Sequence, residues 1–385
     1  MFTKFNYPHF SLLVLSYLLA DWLTAAGTIA AGKYNLVDKP HTYKTHITPT
    51  PFIGGVGIFL GFAITIFSIL RFETNHFHQW MNIFSIVTAG GFILILGLID
   101  DFRPINATIK LSILLLTTYI LFSYNIRLSL FPPDFLWNLP NFLLSLLWLA
   151  GVISALNSLD NMDGAAAGIT AIASLCIFVM AWYTYQRWLS YVSISLAGAS
   201  IGFLRYNFHY QGAKIFLGDN GSFFLGFTLA TMAVLGSWSG LTYPGAVRDY
   251  DSLKSIIIPC IILTVPLYDI TLSTVLRLLN GQIHSTRQAI EYCGKDHLAH
   301  RLVALGCTRR QAVMLLYFMA AGAGTIACII VIFDLPLTAY LSISAGGIFI
   351  LVILGYFLNK AKVYQKETPG QKATRHFRRH QIKKL

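Results

Sequence analysis

Eleven apolar stretches, at residues 10–31, 52–70, 82–99, 108–124, 140–156, 165–185, 188–204, 222–238, 254–276, 312–332 and 336–358, decide what this chain can fold into. About 20 apolar residues in a helix cross a hydrocarbon core roughly 30 Å thick. Backbone N–H and C=O groups find no water there, so each stretch must satisfy its hydrogen bonds internally, as a helix. Short alternating strands, the mark of a β-barrel, are absent from the pattern. With 55% hydrophobic and 11% charged residues, the chain cannot cover itself with a polar surface. The expectation is an all-α, polytopic integral membrane protein of about 11 transmembrane helices: a single transmembrane domain over 1–358 and a basic tail over 359–385. The first apolar run has only Lys4 before it and is long enough to span, which argues against a cleaved signal peptide.

Charge sets the orientation. Of the 28 Lys and Arg residues, 22 fall in the segments 32–51, 98–111, 157–164, 205–221, 277–311 and the tail, and 6 fall on the other side. By the positive-inside rule the first set is cytoplasmic, with the N-terminus outside and the C-terminus inside, as an odd number of spans requires. The net charge of +12 therefore reads as an orientation signal and a tail drawn to anionic lipid, with no nucleic acid implied. The five cysteines show neither metal-ligand spacing nor a disulfide framework.

Polar residues that could carry chemistry gather on that cytoplasmic side. Its first loop, NLVDKPHTYKTHITPTPFIGG, holds Lys44 and His46, then prolines that stiffen re-entry and Gly54-Gly55, which permit close backbone approach. Asp100 and Asp101 follow an apolar helix directly, an expensive place for adjacent like charges unless Arg103 or a cation compensates them. In NSLDNMDGAAAG, Asn157, Asp160 and Asp163 lie three apart, along one side of a helical turn; an acidic helix start is the plainer explanation of Asp163. In FLGDNGS, Asp219 sits in Gly-rich backbone at a helix start, able to hold a metal that bridges phosphate oxygens, and Phe216 precedes it as a stacking face or a buried ring. The longest loop carries His297 and His300 among Lys295, Asp296 and Arg301, a cationic patch suited to diphosphate or else an interfacial amphipathic helix. Asp21, inside the first span, reads as a structural contact within the bundle, and Asp269, in PLYDITLSTVLR, is either a bundle-facing polar contact, the plainer reading, or a member of the site. Carboxylates and cations at one membrane face suit metal-assisted transfer of a phosphoryl group between a soluble nucleotide and a lipid.

The order DD, N-x-x-D-x-x-D-G, GDxGS and a histidine-containing loop resembles the polyprenyl-phosphate N-acetylhexosamine-1-phosphate transferases (the MraY- and WecA-like glycosyltransferase family 4), over Asn35 to about Gly306. That resemblance implies transfer of a sugar-1-phosphate from a UDP-sugar to undecaprenyl phosphate with release of UMP, a magnesium requirement that manganese could meet, and a multi-pass protein of the bacterial inner membrane with its active site on the cytoplasmic face. A homodimer is compatible with it. Motif by motif, Asp100 and Asp101 match the catalytic acidic pair, one of them a base toward the lipid phosphate. Asp219 matches the magnesium ligand, with Asn157 beside it. Asp160 and Asp163 match the nucleotide–ribose region, and Lys44 and Phe216 match residues around the uracil. His297 and His300 match the diphosphate-contacting histidines, with Lys295, Arg301 and His46 as further substrate-binding candidates. Departures are Asn161 in place of a glycine, Ser154 in place of an asparagine and Ala299 in place of a histidine. The TPTPFIGG loop is closer to the WecA-like pattern, so UDP-GlcNAc is the expected donor and muramyl-pentapeptide transfer the alternative. A transporter, the alternative of another class, would place its charges near the midplane on broken helices, often with repeated halves, and neither is evident here.

Overall fold

The structure is a computed structural model that describes residues 8–38, 49–70, 77–128, 130–131, 135–236, 238, 253–285, 288, 294, 296–361 and 363. It is helical almost throughout: α1 (Pro8–Lys33), α2 (Gly54–Leu70), α3 (Phe77–Phe102), α4 (Ala107–Ser123), α5 (Phe135–Leu159), α6 (Ala165–Tyr183), α7 (Arg187–Asn207), α8 (Gly218–Leu235), α9 (Lys254–Ile262), α10 (Thr264–Leu279), α11 (Leu298–Ala304), α12 (Arg309–Ile332) and α13 (Leu337–Leu358). Among the described residues the exception is a two-residue antiparallel pair, β1 (Val37–Asp38) with β2 (Thr50–Pro51), at the neck of the first loop.

Each apolar stretch coincides with a helix, except that the ninth is two helices. Among the described residues, six helices (α1, α3, α5, α6, α12 and α13) are long and apolar enough to cross a membrane, and α9 with α10 makes a seventh if that bent pair is one span. The chain is a multi-pass membrane protein. Helices α2 and α4 are apolar but shorter. The bend between α9 and α10 is 80°, at Leu263. Pro259 inside α9 and Pro266 in the first turn of α10 explain it: neither has an N–H to continue the ladder, and Leu263 closes α9 by donating to the Pro259 carbonyl at 3.0 Å.

At the centre stands α8, buried nearly along its length and packed on α2, α3, α5 and α6. Its Thr, Ser and Gly residues suit a helix that meets protein on every side, where small side chains let backbones approach. Helix α1 is clasped in the same way from two sides. On α2, a Cβ at Gly57 would lie 2.7 Å from Thr24 Oγ1, and one at Gly61 2.8 Å from Ala20 N. On α7, a Cβ at Gly198 would lie 2.0 Å from Ser16 Oγ and one at Gly202 2.5 Å from the Tyr17 carbonyl. Each pair is four residues apart and so on one helix face. Gly198→Val is expected to loosen α1 from α7 and cost about 1–3 kcal/mol, read as a lower Tm in detergent. The same contact places Asp21 beside Arg205, with Oδ2 3.0 Å from Nη1, so an ion pair accounts for this carboxylate within the bundle.

Candidate active site

The site forms where α8 begins. Gly218, at φ +74, turns the chain into the helix, and a Cβ there would sit 2.2 Å from the Phe52 carbonyl. The first N–H groups of a helix have no partner within it, and Leu217, at the N-cap, supplies none. Asp101, in the last turn of α3, does. Its Oδ1 accepts from Asp219 N at 2.9 Å, and its Oδ2 accepts from Asn220 N at 3.0 Å and from Asn220 Nδ2 at 2.7 Å. Asn220, fully buried, also donates to the Phe52 carbonyl at 2.8 Å and so ties the first loop to this point. The loop pairs further: Phe216 N donates to the Pro51 carbonyl, and Gly54 N and Gly55 N donate to the carbonyls of Phe216 and Leu217.

Three glycines make the approach possible. A Cβ on Gly97 would lie 2.5 Å from the Asp219 carbonyl, and one on Gly55 would lie 2.2 Å from the Gly221 Cα. The close approach expected of Gly55 is thus made to α8.

Asp100 accepts from Ile105 N at 2.7 Å and forms an ion pair with Lys110 at the start of α4. Arg103, the neighbouring cation, is exposed. The Asp219 carboxyl, placed before the apolar run that starts at residue 222, meets the Asp100 side chain. Burial, then the charge of Asp101 and the contact with Asp100, push it up to about 7. Asp160, half-buried in the turn after α5, is held well above the ordinary carboxylate range by desolvation and then by Asp219, Asp163 and Asp101. Asn157, in the last turn of α5, accepts from Ser222 Oγ of α8 at 2.8 Å. Exposed Asp163 accepts from Ala213 N at 3.3 Å. Gly164, at φ +81, closes this turn, with its N–H on Asn207 Oδ1 at 2.7 Å and its carbonyl accepting from Tyr317 OH at 2.7 Å.

The structure therefore gathers Asp100, Asp101, Asn157, Asp160, Asp163 and Asp219 around the start of α8, with Phe216 half-buried just ahead of it. The histidine loop joins through an inner cluster. His297, 9% exposed, has Nδ1 2.9 Å from Asp269 Oδ2 and Nε2 3.2 Å from Arg277 Nη2. Arg277 forks onto Asp296 at 2.7 and 2.8 Å. Ser158, next to Asn157, donates to Asp269 Oδ2 at 3.3 Å and links the cluster to the aspartate turn. His300 is half-buried on α11. Arg301, expected to bind substrate, is fully buried instead. It donates to the carbonyls of Asp296 at 2.7 Å and Leu358 at 3.3 Å, a geometry that fastens α11 to the end of α13. Lys44, His46 and Lys295 lie outside the described residues.

Residues outside the motif candidates carry much of this geometry: Lys110, Asn220, Ser222, Ser158 and Arg277, together with Asp269, for which a place in the site is the second of its two readings. Lys110 and Arg277 were visible as cations at the ends of apolar runs, and Asn220 and Ser222 lie inside the GDNGS string itself. Ser158 carried no signal of its own.

Among the described residues no three His, Cys, Asp or Glu side chains converge as a ready-made metal cage. A magnesium ion does not require one, since it commonly uses one or two carboxylates, with waters and substrate phosphates completing its octahedron. Asp219, whose charge is crowded rather than paired, and the amide oxygen of Asn157 held at Ser222 fit such a partial set.

Residues 83–237 match Glycosyl transferase family 4. The chain is 34% identical over 296 residues to a probable undecaprenyl-phosphate N-acetylglucosaminyl 1-phosphate transferase of Bacillus subtilis (strain 168), covering 74% of this chain and 75% of that one. It is 31% identical over 323 residues to a decaprenyl-phosphate N-acetylglucosaminephosphotransferase of Mycolicibacterium smegmatis, covering 79% and 76%. It is 25% identical over 300 residues to an undecaprenyl-phosphate alpha-N-acetylglucosaminyl 1-phosphate transferase of Escherichia coli (strain K12), covering 76% and 75%. With an acid-rich site at a helix start and similarity along three quarters of its length, the chain belongs to glycosyl transferase family 4.

Proposed function

We propose that the protein transfers N-acetylglucosamine-1-phosphate from UDP-GlcNAc to undecaprenyl phosphate, releasing UMP and forming a first lipid-linked intermediate of cell-envelope polysaccharide synthesis. The observation that carries this reading is the convergence of Asp100, Asp101, Asp160 and Asp219 on the start of α8. The similar proteins act, by their names, on N-acetylglucosamine and polyprenyl phosphates, which favours this donor over a muramyl-pentapeptide. The charge distribution supports eleven spans with the N-terminus outside, and a site at the cytoplasmic face of a bacterial inner membrane.

A lipid phosphate and a diphosphate repel one another, so the site must neutralise and align them. Asp219 and Asn157 would hold magnesium, which when bound draws charge off the diphosphate. The lipid-phosphate oxygen attacks the β-phosphorus in line. That bond forms as the bond from the β-phosphorus to the bridging oxygen breaks, and UMP leaves with the electron pair. Asp101 is spent on three bonds that hold the start of α8, whereas Asp100 is held by Ile105 N and by a Lys110 that is partly exposed and can turn away, so Asp100 is the member of the pair assigned to take a proton from the lipid phosphate. Asp160 and Asp163, on the facing turn, border the nucleotide.

Purified protein with magnesium, undecaprenyl phosphate and a panel of UDP-sugars should yield UMP and a lipid whose mass rises by GlcNAc-1-phosphate. Product from the muramyl-pentapeptide donor alone would reassign the substrate. A covalent sugar-phosphate trapped on Asp100 or Asp101 without lipid would replace direct attack by a two-step route.

A further inference from the structure

We infer that Asp269 is a positioning residue of this site, fixing the His297 ring in the tautomer that carries its hydrogen on Nδ1. The geometry leaves one arrangement. Guanidinium nitrogens only donate, so Nε2, 3.2 Å from Arg277 Nη2, must accept. Nδ1 then bears the hydrogen and gives it to Asp269 Oδ2 at 2.9 Å, with Ser273 Oγ at 3.3 Å as a second neighbour. The same carboxylate accepts from Leu298 N, at the first residue of α11, and from Ser158 Oγ, in the turn that carries Asn157 and Asp160.

One fully buried carboxylate of α10 thus receives bonds from two other parts of the chain: His297 and Leu298 at the start of α11, and Ser158 at the end of α5 beside the aspartate turn. Arg277 is gripped between the ring and Asp296. Both nitrogens of His297 are therefore committed within the protein. The ring acts on the reaction by holding Arg277 and the loop in register with the aspartate turn, and it does not itself touch the diphosphate. An amide at position 269 would present a donor to Nδ1, drive the hydrogen to Nε2 and set it against the Arg277 donor.

This inference rests on the transferase reading, and two readouts separate them. Wild-type product formation tests the reading. Imidazole nitrogen spectra of labelled protein in lipid nanodiscs, with His297 assigned by its loss in His297→Asn, test the tautomer whatever the substrate is. The wild type is expected to show hydrogen on Nδ1 of His297, and Asp269→Asn is expected to move it to Nε2. Asp269→Asn should lower kcat by about 10- to 100-fold, with KM for UDP-GlcNAc changed by less than about threefold. Wild-type spectra with hydrogen on Nε2, or a folded Asp269→Asn with unchanged kcat, would overturn the inference. If Asp269→Asn does not fold, His297→Asn and His297→Gln decide. Asparagine can place an amide N–H where Nδ1 sits, facing Asp269, and should retain about tenfold more activity than glutamine, whose longer amide reaches the Nε2 position and faces Arg277 with its oxygen. The reverse order would show that the Arg277 side, not Asp269, governs the ring.

Discussion

Asp219→Asn is expected to lower turnover by about 10³-fold or more while making the metal-free protein more stable. The two effects share one cause. Burial and the neighbouring Asp101 and Asp100 raise the Asp219 carboxyl to about 7 from an ordinary 3.8, so the fold disfavours its charge. A carboxyl whose folded value is raised binds its proton more tightly folded than unfolded. Its contribution is therefore most favourable below about pH 4, and stability is lost as pH rises from there to about 7. Asparagine keeps the shape and removes the repulsion, so Tm measured with a chelator should rise, and the difference from wild type should shrink as pH falls toward 4. Activity should not recover at any magnesium concentration. A variant that retained near-normal turnover would take Asp219 out of the reaction, and one with lowered Tm at neutral pH would deny the crowding.

Asp101→Ala is expected to behave in the opposite way toward stability. Removing its carboxylate strands the backbone N–H groups of Asp219 and Asn220 and half the bonding of the Asn220 amide, all at a buried helix start. Loss of a cap costs about 0.5–2 kcal/mol, and a stranded buried donor about 1–3 kcal/mol. Relief of repulsion with Asp219 and Asp160 offsets part of this, leaving a net loss of about 2 kcal/mol. Turnover should fall with it, because α8 aims Asp219. Asp100→Asn gives the contrast: its partner Lys110 is partly exposed and can turn to water, so Tm should change little while turnover falls at least about tenfold. Thermal unfolding and product assays on the same preparations check both. Equal Tm for the two variants would mean that Asp101 is no cap.

Hydropathy is local, and the helices are legible for that reason: every apolar stretch is helical, the ninth as two helices. Hydropathy does not reveal the break at Leu263, although Pro259 and Pro266 stand in the sequence, because apolar side chains continue across it. Motifs of adjacent residues, DD and NSLDNMDG and GDNGS, also stood out. What joins them did not, since a contact such as Asp101 to Asn220 spans 119 positions and depends on two helices meeting. Arg103 is the cation nearest the acidic pair in sequence, yet Lys110, on the next helix, is the one that pairs with Asp100. Asp269 is readable in the sequence as a polar group in an apolar run, either a bundle contact or a member of the site. That it bonds the ring of His297 required the fold.

The glycine contacts of α8 make the chemistry answerable to groups that carry no charge at all. Gly55 and Gly97 set how near α2 and α3 come to Asp219, and that spacing fixes how hard the acids press on one another. In a site poor in water, the energy between two charges varies steeply with separation. A single methyl group added at position 97 would displace the helix start by a fraction of an ångström, and the change would register as an altered proton affinity at Asp219. An enzymologist mapping that variant would find an acid–base phenotype whose origin is purely steric.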